Sequence, residues 1–164
     1  MAFATLKDLY IDQLQDLYSA NKQARLATQK LAAAVTDDEL QKALEAGVIG
    51  IENGMTALDA IISGHDKKPD GEHCKGMEGI VKEVHTHALD ANFTDRDVQD
   101  AAIITQYQRM VHYALAGYGC VAAFAKRLDL KEEAKALDKC LDETYEGDRR
   151  MTDIAVGGIN KKAA

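Results

Sequence analysis

The sequence predicts an all-α fold, a four-helix bundle with one long crossover, and three observations predict it. Apolar residues recur at three- and four-residue steps in four long runs. The period-two alternation of β-branched residues that marks strands is missing. A single proline in 164 residues leaves the runs uninterrupted.

The first helix is placed over residues 5–33. Thr5 is followed three residues later by Asp8, a pattern in which a hydroxyl caps an orphan N–H and an acid bonds back. Leu6, Tyr10, Leu14, Leu17, Asn21, Ala24, Thr28 and Leu31 form its stripe. The second covers 36–63, opened by Thr36 and Glu39, with Leu44, Val48, Ile51, Met55, Leu58 and Ile62 on one face and Gly64 and Pro69 to end it. The third covers 95–127, opened by Thr94 and Asp97, with Ile103, Ile104, Tyr107, Met110, Val111, Ala114, Tyr118 and Val121. The fourth covers 130–156, opened by Asp129 and Glu132, with Ala134, Leu137, Leu141, Thr144, Asp148, Met151 and Ala155, and a stop at Gly157-Gly158. The tail Asn160–Ala164 is expected to fray.

Residues 67–96 separate the two hairpins Thr5–Gly64 and Thr94–Gly157, and a short extra helix is placed at 75–89. So long a connection lets the third helix run in a direction that a tight turn would forbid. This is the connectivity of ferritin-like bundles. The length suits one domain, 1–164, and no repeat or low-complexity segment divides it.

Composition excludes several classes. A net charge of −7 argues against a nucleic-acid partner. The N-terminus has no basic and apolar leader, and no apolar stretch approaches the roughly 20 residues that span a bilayer, so the expected location is cytoplasmic, without membrane contact. Three cysteines without a C-x-x-C make neither a disulfide framework nor a zinc site. Cys120 and Cys140 read as small buried hydrophobes, and His65 and His73 as exposed loop residues. Glu83 and His87, four apart, read as a solvated pair.

The middle of each helix is unusual. Asn21 lies on the first stripe, Thr144 and Asp148 on the last, Gly47, Gly50 and Gly54 along one edge of the second, and Val111 and Ala114 at the midpoint of the third. In antiparallel hairpins of similar length these positions share one level. Mid-bundle layers hold metals and cofactors in such folds, and a di-metal site needs about six ligands, chiefly Glu, with Glu-x-x-His pairs on two helices. No such pair occurs in the long runs, and Asp148 is the one ionisable ligand on the stripes.

The segments TLKDLYIDQLQDLYSANKQ (5–23), CKGMEGIVKE (74–83), DAAIITQYQRMVHYALAGYG (100–119), LDETYEGDRRMTDIA (141–155) and NKKA (160–163) resemble the YciE/YciF group of bacterial ferritin-like proteins. The resemblance spans Thr5 to Ala163. It implies a ferritin-like bundle, a homodimer and an association with bacterial stress responses. The departures fall at the centre. The family's Ala-Glu is Ala20-Asn21, its His-x-Glu-Glu segment is Gly47 to Gly50, its Glu-His-Tyr-Glu is Val111, His112, Tyr113, Ala114, and its Glu-Glu is Glu143-Thr144. Glu52 and Glu143 fall off the stripes and are expected to face water.

Two readings of the glycines follow. They allow close helix packing, or they line a pocket where ligating side chains once stood, with Tyr107, Tyr118 and Met110 free to swing in. The candidate pocket is Asn21, Gly47, Gly50, Gly54, Tyr107, Val111, Ala114, Tyr118, Thr144 and Asp148. Asp148 is expected to bond Asn21, Thr144 or a tyrosine hydroxyl, because an unpaired buried carboxylate is costly. His112, one position off the stripe, reads as a hydrogen-bonded or interface residue. The expected protein is a non-catalytic, stress-associated binder with no catalytic residue and no resident cofactor, taking a small organic ligand or a protein partner. One alternative is a divalent metal or redox site rearranged around Asp148 and His112 with Tyr107 or Tyr118. The other is a structural dimer with a dry core.

Overall fold

A computed structural model describes residues 3–164. Four long helices, α1 (Leu6–Ala34), α2 (Asp38–Gly64), α4 (Arg96–Arg127) and α5 (Lys131–Ile154), form the bundle. The short α3 (Lys75–Val84) continues into a π-helical turn, His85–Leu89, within the crossover and packs on α1 and α4. A second π-helical turn, Ala155–Ile159, leads from α5 into α6 (Asn160–Lys162). There is no strand among the described residues.

Contacts at the two ends fix the directions. The α1–α2 turn meets the start of α4 through Asp100, and Tyr10 near the start of α1 meets Glu133 at the start of α5. α2 and α4 therefore run parallel at diagonal corners, and every adjacent pair is antiparallel, as a crossover spanning the bundle's full length requires.

The helix starts follow local chemistry, with one register correction repeated. Thr5 caps α1 in a complete capping box with Asp8. At α2 the cap is Asp37, not Thr36, and at α4 it is Asp95, not Thr94. Thr36 is drawn away because its N–H and hydroxyl both donate to Asp100, at 3.0 and 2.8 Å, and the Asp37 N–H adds a third bond at 2.9 Å. Asp129 is not a cap either. It adopts φ 57°, a left-handed conformation that Asp tolerates, to close α4, and Leu130 takes the cap position without a side-chain bond.

The C-terminal expectation is also corrected. Gly157-Gly158 do not stop the chain and the tail does not fray. Ile159 is buried in the core, and Lys162 pairs with Asp37 at 2.8 Å, anchoring α6 on the α2 cap.

The core falls into two apolar clusters. One, around Leu31, Leu44, Met77, Ile103 and Met151, fills the end bearing the α1–α2 turn. The other, around Leu14, Leu17, Leu58, Val121 and Leu137, fills the opposite end. At that second end the Tyr10 hydroxyl donates to Glu133 at 2.8 Å, and His65 contacts the same carboxylate at 3.0 Å. The His65 side chain is thus turned inward and paired, contrary to the exposed-loop reading, because Tyr10 and Glu133 draw the residue after α2 inward. Cys120 is exposed, whereas Cys74 is buried and its sulfur caps α3. The exposed cysteine follows from its position on the outward face of α4.

Asp100 is fully buried, and among the described residues only the α1–α2 turn donates to it. Asp100→Ala should therefore lower unfolding free energy by about 2–4 kcal/mol, because two backbone donors lose a charged acceptor. Asp100→Asn should lower it by less, and urea denaturation reads both.

Candidate functional site

The middle of α2 offers the core almost no side chain. Gly47, Gly50 and Gly54 occupy three consecutive turns facing the interior seam, and Ile51 beside them is half-buried. The space is filled from the diagonal helix. Tyr107 and Tyr118, three turns apart on α4, reach across the bundle and set their hydroxyls against α2. A Cβ on Gly47 would collide with the Tyr107 hydroxyl, and one on Gly54 with the Tyr118 hydroxyl, whereas one on Gly50 would meet nothing within 4 Å. Two of the glycines are thus required by close approach and the third faces open space.

That space is a cavity of about 310 Å³ opening to solvent between α2 and α5. From α1 it is lined by Asn21, Ala24 and Thr28, and from α2 by Ala43, Ala46, the three glycines and Ile51. From α4 come Tyr107, Met110, Val111, Ala114 and Tyr118. From α5 come Cys140, Glu143, Thr144, Glu146, Gly147, Arg150 and Met151. Glu143, Glu146 and Arg150 are exposed at the mouth, while the interior is apolar with a few polar atoms.

Those polar atoms are distinct in their bonding. The Asn21 amide donates to the Tyr118 hydroxyl at 2.8 Å, and both residues are buried. Thr28 and Thr144 donate to their own helix, to Ala24 at 2.8 Å and Cys140 at 2.7 Å. The Tyr107 hydroxyl has no hydrogen-bond partner among the described residues, although the residue is only 4% exposed. Burial, and then the charge of Asp148, pushes the Tyr107 phenol up to about 12. Burial raises Tyr118 further, and burial together with Glu143 raises the Cys140 thiol. The layer therefore presents neutral groups at neutral pH.

Nine of the ten residues singled out from sequence line this cavity, and Asp148 does not. Its carboxylate turns along the α4–α5 seam, accepting from Gln108 at 3.0 Å and contacting His112 at 3.2 Å. It reaches neither Asn21, Thr144 nor a tyrosine hydroxyl. The reason is lateral: Gln108 and His112, one turn apart on α4, offer it partners at the rim without the cost of burial. His112 itself is largely exposed.

Several lining residues were missed, yet their spacing points to them. Ala24 and Thr28 lie three and seven residues after Asn21 on the same face. Cys140, Gly147 and Met151 stand four before, three after and seven after Thr144.

The donor set does not fit a di-metal centre. The interior offers an amide, two protonated phenols, two hydroxyls that are already engaged and the Cys140 thiol, which burial keeps protonated, where two metal ions need several carboxylates. Among the described residues no three His, Cys, Asp or Glu come together in a way that could hold a metal ion. Nor is any helix among them long and apolar enough to cross a membrane.

Comparison with known proteins gives a consistent picture. The model of a family described as a domain of unknown function, DUF892, matches residues 5–164. The chain is 32% identical to Protein YciF of Escherichia coli, with 99% of this chain and 98% of that protein covered. Its fold superposes on the crystal structure of the Escherichia coli stress protein YciF with a TM-score of 0.87 at 31% identity, covering 97% of this chain and 99% of the other. YcfI of Rhodopseudomonas palustris superposes with a TM-score of 0.84 at 27% identity, covering 92% and 98%.

The contrast among the glycines is measurable. Gly50→Ala should stabilise the protein by roughly 0.5–1 kcal/mol through helix propensity alone. Gly54→Ala should cost about 1–3 kcal/mol, because Asn21 holds Tyr118 in place against the new Cβ. Thermal or urea unfolding reads both. The raised phenols also predict alkaline sensitivity. A tyrosine whose folded pKa lies above its unfolded value near 10 adds stability below that value and loses it as pH climbs through the folded one. Stability should therefore fall between about pH 10 and 12, and less steeply in a Tyr107→Phe, Tyr118→Phe double variant.

Proposed function

The chain belongs to the DUF892 family, and on that premise we propose that it is a non-catalytic binding protein of the bacterial stress response, with a degenerate di-metal centre turned into a ligand pocket. The observation that carries this reading is the cavity of about 310 Å³ between Tyr107, Tyr118 and Gly50. Its volume lies within the range of small-molecule sites, and a few polar groups in an apolar lining are what such sites contain. The absence of carboxylates from the interior favours an organic ligand over a metal ion. The stress association comes from the Escherichia coli relative. The homodimer rests on the resemblance, and light scattering on the eluted protein reads it.

Two measurements test the proposal together. Protein purified without chelators should carry far less than one equivalent of iron, manganese or zinc by elemental analysis, and a stoichiometric metal would overturn the reading. Naphthalene, as a neutral apolar probe, should raise the melting temperature of the natural protein and leave that of Gly50→Phe unchanged, since a ring at position 50 enters the open space. Equal protection of both, with both folded by circular dichroism, would place binding elsewhere.

A further inference from the structure

Among the described residues the pocket has one buried oxygen without a partner; the buried Cys140 thiol in the same lining is only a weak donor. Of its buried hydroxyls, that of Tyr118 is engaged by Asn21, and those of Thr28 and Thr144 by their own helix carbonyls. The Tyr107 hydroxyl, on a residue only 4% exposed, has none among the described residues. Tyr107 lines the cavity wall, and its hydroxyl lies against α2 at Gly47. Buried hydroxyls are ordinarily paired, so a group left free at the wall of a cavity marks where a ligand's polar atom belongs.

Charge limits what that atom can be. Every charged residue lining the space, Glu143, Glu146 and Arg150, stands at the exposed mouth. A charged group next to Tyr107 would be desolvated with no counter-charge. Burial keeps the Tyr107 and Tyr118 phenols protonated, so the wall stays neutral as well.

Volume limits the size. An apolar cavity of about 150 Å³ takes up one benzene, and about 310 Å³ is twice that.

Building on the reading that the cavity binds a ligand, we infer that its occupant is a neutral, two-ring-sized apolar molecule bearing one hydrogen-bonding oxygen, which pairs with the Tyr107 hydroxyl. The apolar body packs on Met110, Val111 and Ala114 and covers the bare backbone of Gly50, which no side chain of the protein reaches. Gly50 is thus kept without a Cβ by the ligand's occupancy, not by the fold, whereas Gly47 and Gly54 are kept bare by the two tyrosines.

The test compares naphthalene, 2-naphthol and 2-naphthoate by isothermal titration calorimetry on the full chain and on Tyr107→Phe. On the natural protein 2-naphthol should bind about tenfold more tightly than naphthalene, and 2-naphthoate more weakly than either. Tyr107→Phe should erase the advantage of 2-naphthol while leaving naphthalene binding within a factor of two or so. Since the lost hydroxyl has no partner in the protein, this variant is expected to fold normally, with circular dichroism as the check. If 2-naphthol and naphthalene bind alike and Tyr107→Phe changes neither, water satisfies the hydroxyl and the inference fails, while the pocket stands. Tighter binding of 2-naphthoate would overturn the neutral-ligand conclusion. If none of the three binds, the inference and the pocket fail together.

Discussion

The arrangement depends on a steric bargain between diagonal helices. Over two turns α2 carries glycine where a bundle helix ordinarily carries its core side chains, so its adjacent neighbours have nothing to interlock with there. Tyr107 and Tyr118 close most of the gap by reaching across from α4 until their hydroxyls touch the α2 backbone. Parallel running of α2 and α4 makes this possible: the order Gly47, Gly54 along one helix meets the order Tyr107, Tyr118 along the other. Two rigid bars spaced three turns apart cannot fill the interval between them. The cavity is what remains at Gly50, and its mouth lies along the α2–α5 seam because α5 presents Thr144 and Gly147 there in place of bulky residues.

A bundle hollow at its middle must be held at its ends. The apolar core is accordingly divided into two clusters on either side of the Asn21–Tyr118 layer. Each end also carries a polar latch that joins non-consecutive helices. At one end Asp100 of α4 takes the N–H groups and hydroxyl of the α1–α2 turn, and Lys162 reaches the neighbouring Asp37. At the other, Glu133 of α5 receives the Tyr10 hydroxyl of α1 and contacts His65 after α2. Each of these contacts forms only when its two partners are aligned along the bundle, so together they hold the register. Register is what two tyrosines seated on two glycines demand: a slip of one turn would drive at least one hydroxyl into a side chain.

Much of this was legible in the sequence, and the remainder failed for identifiable reasons. Periodicity places the four long helices because a core stripe has to repeat with the helical turn. It places Asn21, Gly47, Gly50, Gly54, Val111, Ala114 and Thr144 at one level because antiparallel helices of similar length share a midpoint. What periodicity cannot see is competition for a side chain. Thr36 has a capping-box partner at the right distance, yet a carboxylate 64 residues later in the chain outbids it. His65 looks like a loop residue until a tyrosine from α1 and a glutamate from α5 converge on it. The tail looks like a frayed end because the bond that anchors it, Lys162 to Asp37, spans 125 residues.

Asp148 carries the last step. Placed on the stripe of α5, it is the one ionisable ligand the stripes offer, and so reads as a metal ligand. Its actual partners, Gln108 and His112, lie on the rim of the α4–α5 contact, and Thr152 on its own helix shares the Gln108 amide. A carboxylate in that position joins two helices through neutral and ionisable donors whether or not any metal is bound. Its presence therefore says nothing in favour of a metal centre. The groups that do face the interior, the amide of Asn21 and the phenols of Tyr107 and Tyr118, are uncharged and differ from a metal shell in kind. On the proposed reading, a site lined by phenols in place of carboxylates does not select its ligand by charge neutralisation. On that reading it selects by shape and by a single hydrogen bond, since a hydroxyl left unpaired among apolar walls rejects a ligand without a matching polar atom more sharply than apolar walls alone reject a misfit of one methylene.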